Sequence, residues 1–175
     1  MSLIVEDGSL PTGANSYISV SDTRVFAAAR GLSLPAVGPS GDAAIEVLLI
    51  TAMDYVEAEI RENGQGRKLS KAQGTQYPRT GVVIDSFAID EDEIPTCLPQ
   101  AQARLACYAY ANGGALTVQS DGRVVIGERI EGAVDLKYAD HGDNSPQPQF
   151  PEADRLLAPL LAGGASVGFG VSVRV

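Results

Sequence analysis

The chain has 175 residues, of which 45% are hydrophobic and 20% charged, a composition that fits one globular domain with one core. Thirteen Lys and Arg against 22 Asp and Glu leave a net charge of −9, which opposes non-specific nucleic-acid binding, where cations must neutralise phosphates. No stretch reaches the roughly 18 apolar residues of a membrane span, and no basic region followed by an apolar stretch marks a signal peptide.

The chain opens with the irregular runs Leu3–Gly8 and Gly13–Val20. A first helix is expected from about Asp22 to Arg30, capped by Ser19 or Ser21 and closed by Gly31 in the left-handed conformation. Val25, Phe26 and Ala29 would supply its apolar face, and residues 32–41 a loop. The second helix carries the clearest pattern. Ser40 is its expected cap, and Asp42 and Glu46 suit the positive end of its dipole. Ile45, Leu48, Leu49, Ala52, Val56 and Ile60 form one stripe, and the helix should end near Asn63-Gly64. Ile50, Met53 and Tyr55 widen the apolar surface, so it is either a central helix or one that faces a neighbouring subunit.

Residues 64–95 read as mostly irregular. Arg67, Lys68, Lys71 and Arg79 gather in their first half, and Asp85, Asp90, Glu91, Asp92 and Glu93 in their second. These are either two solvated loop segments or complementary charge, between adjacent copies or with an assembly partner. Such complementarity fixes register more than affinity.

The third helix is expected to begin at Thr96, with Pro99 in its first turn. Leu98, Ala101, Leu105 and Tyr108 would line one face, alanines would admit a close neighbour, and Asn112-Gly113 would end it. Cys97 and Cys107 lie ten residues apart on this helix, roughly 15 Å along the axis, too far for a disulfide. They read as two free thiols.

Asp121-Gly122 between Leu116–Val118 and Val124–Ile126 is a hairpin signal. Residues 130–138 alternate as a half-buried strand, with bends or bulges at Gly127 and Gly132. Residues 139–151 read as a linker. A short helix should start at Pro151-Glu152 and kink or stop at Pro159. Val167, Phe169, Val171, Val173 and Val175 then alternate with small or polar residues. This strand would return to the chain's own hairpin or add to another chain's sheet.

No catalytic set emerges. His141 is the single histidine, in the polar run Asp140–Asp143, with no converging ligands for a metal. It also leaves a nucleophilic triad hard to assemble. The run Gly64–Ser70 lacks the Gly-Lys-Ser/Thr of a phosphate loop. The carboxylates of residues 85–93 lack an apolar setting for acid–base work. For stacking single-stranded DNA the aromatics are few. Tyr17, Phe26, Tyr55, Tyr108 and Tyr110 are expected in core packing, and only Tyr77 beside Arg79 fits a base platform.

The opening runs, then Tyr77-Pro78-Arg79-Thr80-Gly81-Val82, then Ile94-Pro95 before an alanine-rich helix, carry a resemblance that fades after about residue 138. The chain resembles a phage family labelled DnaT-like single-stranded DNA-binding, whose members look like head–tail connectors (adaptors) of tailed bacteriophages. The expected fold is mainly α: a bundle of three or four helices with a β-hairpin extension and an extended C-terminal tail. The expected regions are a helical core of 1–115, a hairpin of 116–138, and a linker, short helix and tail of 139–175.

The resemblance implies a virion protein of the neck, assembled in the host cytoplasm as a ring of dodecameric symmetry. Its partners would be other copies of itself, the portal protein and a downstream neck or tail-completion protein, with DNA sliding past an acidic channel. No cofactor, metal or membrane enters this reading, and no enzymatic activity. The charged residues of 67–93 and the apolar residues of 167–175 are its candidate interfaces. The alternative is a single-stranded DNA-binding accessory protein of replication.

Overall fold

The computed structural model describes residues 2–116, the strands at 125–130 and 134–138, and residues 150–162. The order is α1 (Val20–Ala28), α2 (Pro39–Asn63), β1 (Arg67–Lys68), β2 (Arg79–Thr80), β3 (Val83–Ile84), β4 (Phe87–Ala88), α3 (Cys97–Ala111), β5 (Val125–Ile130), β6 (Val134–Tyr138) and α4 (Pro151–Leu157). A 3₁₀ turn, Ala158–Leu160, follows α4. The fold is mixed with a helical majority.

The Ser19 side chain caps α1 by accepting from the Asp22 N–H, and Gly31 takes φ +63° after the helix. The buried face of α1 is Thr23, Phe26 and Ala27. Val25 and Ala29, expected inside, face solvent, because Phe26 and Ala27 set the helix's inward direction. Helix α2 starts earlier than expected. Pro39 occupies its first turn and Gly38 is the cap, so Ser40 lies inside the helix and caps nothing. The whole expected stripe of α2 is buried, together with Met53. It packs on α3, α3 packs on α4, and α1 packs on both α2 and α3. Thr96 has helical backbone angles and its side chain makes no cap bond.

The irregular segment after α2 holds two minimal hairpins, β1 with β2 and β3 with β4. Residues 150–162 pack into the same unit as residues 2–116. Leu157 and Leu160 are fully buried, and Phe150 stacks edge-on against Tyr55 and Tyr108, each at 5.0 Å between centroids. The helix gives way to the 3₁₀ turn around Pro159, as the missing N–H requires. Antiparallel bridging of Gly64 to Leu161, with Ala162 donating to Asn63 O at 2.6 Å, fastens this turn to the end of α2.

Residues 117–149 form a second unit. Within it β5 and β6 pair antiparallel from Ile130↔Val134 to Val125↔Tyr138, with a bulge at Val125/Gly127 as Gly127 suggested. The hairpin expected at Asp121-Gly122 falls on residues outside those described. The expected partner strand 116–118, the linker 139–149 and the tail from 163 onward lie almost wholly outside the described residues.

Candidate functional site

The chemistry-bearing side chains of the core meet at one polar junction. Tyr17, just before α1, is buried, and its phenol donates to the Glu57 carboxylate on α2. Both oxygens of Glu57 also accept the Gln76 N–H at 2.9 Å, and the Tyr17 oxygen accepts the Tyr77 N–H at 3.0 Å. Burial, followed by the Glu57 charge, pushes the Tyr17 phenol well above its ordinary pKa. From α3, Gln102 accepts from the Tyr17 N–H at 2.7 Å and donates to Ser16 Oγ and Leu49 O. A further carboxylate, Glu6, is buried and accepts the N–H groups of Gly8 and Leu10.

Every one of these groups is committed to a backbone or side-chain partner, as buried polar groups must be. The junction ties the opening runs and the Tyr77–Val82 run onto α2 and α3. Among the described residues no group of three His, Cys, Asp or Glu side chains is placed to hold a metal ion.

The candidate interface residues separate on inspection. Arg79 is buried, 7% exposed, and its guanidinium donates to the carbonyls of Gln65, Gly64 and Gly66 and to Gln76 Oε1. It is an internal clamp and presents no charge to a partner. Lys68 is half-buried, and its Nζ donates to Gln73 O at 3.4 Å. Arg67 and Lys71 are exposed, as are Asp90, Glu91, Asp92 and Glu93. Thr80 of β2 donates to Glu91 at 2.8 Å, and Thr80 is the register partner of Arg67, so the two charge groups lie side by side. Val167, Phe169, Val171, Val173 and Val175 lie outside the described residues.

Tyr77 corrects the sequence reading. It is fully buried, the bond to Pro78 is cis, and its hydroxyl has no hydrogen-bond partner among the described residues. It is a core residue and offers no platform to a base. Tyr108 and Tyr110, expected inside, are 38% and 40% exposed. Phe87 was missed: on β4, paired with Ile84 of β3, it is 74% exposed. The available signal was a lone aromatic between a polar turn, Asp85-Ser86, and the acidic run. Cys97 and Cys107 are free thiols whose pKa values burial raises.

A model of the family described as "Putative DnaT-like ssDNA binding protein" matches residues 1–175, the whole chain, including the part beyond residue 138 where the resemblance had faded. The chain belongs to this family. No curated protein and no solved structure matches it.

Proposed function

We propose that the chain is a structural assembly protein, a head–tail connector of a tailed phage or prophage, whose copies close a ring beneath the portal and pass DNA without gripping it. One observation carries this reading: Tyr77 and Arg79, the aromatic–cation pair that would serve single-stranded DNA, are both interior, while the four carboxylates Asp90–Glu93 face solvent. A phosphate backbone gains little from such a surface. Ring symmetry, portal docking and the downstream partner belong to the proposal, as does a place in the virion neck.

The second reading is single-stranded DNA binding. The family's description names that activity, so membership by itself favours it over a connector role. Exposed Phe87, Tyr108 and Tyr110 are the rings it would use. Fluorescence anisotropy with a labelled oligonucleotide across a salt series decides between them. The connector reading expects weak or no binding near about 150 mM salt and ring-shaped particles in electron micrographs. Sub-micromolar binding at that salt, reduced by Tyr108→Ala or Tyr110→Ala, would establish the second reading in its place.

A further inference from the structure

We infer that the β3–β4 hairpin, with the charged strips beside it, is the surface through which one copy of the chain holds a second copy. The hairpin is short, and its turn residues Asp85 and Ser86 sit at φ +50° and +71°. Its frame is fixed. Val82 is buried, Ile84 and Ile89 pack against the core, and Ile89 N–H donates to Val82 O at 3.0 Å. The Val83 N–H donates to Gln65 Oε1, and the Gln65 amide in turn donates to Pro159 O. Phe87 is thus a large aromatic held out on a fixed frame, which lowers the ordering cost of docking.

Charge identifies the occupant. Among the described residues the ion pairs are Arg24–Asp42 and Arg104–Glu152, and Arg79 is turned inward. Exposed Arg61, Arg67 and Lys71 follow one another from the last turn of α2 into the loop after β1. The exposed carboxylates Asp90–Glu93 run next to them through the Thr80–Glu91 bond, yet no described ion pair joins the two strips. The Thr80–Glu91 bond therefore sets the acidic strip beside Arg67, and Phe87 stands out on the hairpin that follows in the chain. A second copy supplies the complement, its acidic strip meeting the cationic strip of the first, a head-to-tail contact that can close a ring. Charge pairing would set the register and Phe87 the anchor.

The proposal rests on the self-assembly part of the connector reading. Sedimentation of the full chain and its variants tests it. Phe87→Ser should weaken association at least tenfold while leaving the melting temperature unchanged, since the ring touches little within its own chain. The pair Arg67→Glu with Lys71→Glu, and separately Glu91→Lys with Asp92→Lys, should each abolish self-association. Mixing the two double variants should restore a complex, because each now supplies the charge the other lacks. If wild type associates and none of these changes affects it, the surface is wrong and the assembly reading stands. If wild type stays monomeric up to millimolar concentration, the surface is overturned. Sub-micromolar binding of the oligonucleotide by that monomer would overturn the connector reading as well.

Discussion

The Tyr17 phenol donates to the Glu57 carboxylate and accepts the N–H of Tyr77, so two runs sixty residues apart are closed onto α2 by a single side chain. Gln102 secures the same tyrosine from α3 through its backbone N–H. Two of the runs that carry the family resemblance therefore meet at one junction. Their irregular sequence serves this packing.

Tyr17→Phe should lower stability by about 1–3 kcal/mol, the cost of leaving the buried Tyr77 N–H without an acceptor and Glu57 without its phenol donor. Glu57→Ala should cost more, since the Gln76 N–H is orphaned as well. Urea denaturation of wild type and the two variants measures this. Midpoints within error of wild type would mean the junction contributes nothing net.

Alkaline pH should unfold the protein through the same residue. The folded pKa of Tyr17 is raised, first by burial and then by Glu57, while in the unfolded chain it ionises near its ordinary value of 10. A raised folded pKa contributes stability that is fully present below the unfolded pKa and is lost as pH rises above it. Tyr55 and Tyr77 shift in the same direction, burial again the leading cause. Stability should fall progressively above about pH 10, and Tyr17→Phe should flatten that fall. Ultraviolet titration should show the buried phenols ionising only with unfolding. Ionisation of all six tyrosines near pH 10 with the helical signal intact would refute this.

What was legible in the sequence was whatever a regular period or a cap enforces. The stripe Ile45–Ile60 fixed the inner face of α2, and Ser19, Gly31 and Pro159 marked real boundaries. What was not legible depended on tertiary contact. Arg79 looks like a surface cation until the carbonyls of residues 64–66 are seen around it. Tyr77 looks like a platform until its full burial is seen. Val25 fits an apolar face by spacing alone, but Phe26 and Ala27 determine which side of α1 turns inward.

Gly8 in the opening run has a steric reason. It sits at φ +101°, where side chains are strained, and a Cβ there would lie 1.9 Å from Asp92 O. Gly8→Ala must therefore push the opening run off the 90–93 turn. A loss of roughly 1–3 kcal/mol is expected from the backbone strain, with slower or failed self-association if the acidic strip moves with it. Thermal melting and sedimentation read the two effects separately. An unchanged melting curve would mean that the opening run does not depend on this close approach.

The long helix offers the sharpest test of the fold, because one element carries valines in opposite settings. Val56 is fully buried in the stripe, while Val47 is 63% exposed on the other side of α2. Val56→Asp places an unpaired carboxylate in the core, which costs several kcal/mol against a total stability of about 5–15. The variant should be largely unfolded or aggregate on expression. Val47→Asp exchanges an exposed apolar group for a charged one and should stay within about 0.5 kcal/mol of wild type, as surface substitutions do. Circular dichroism melts of the two proteins give the comparison. Equal melting temperatures would show that the stripe is not core and would overturn the packing of α2 on α3. If Val47→Asp alone melts normally but no longer assembles, the exposed side of α2 is itself an interface, separate from the hairpin of Phe87.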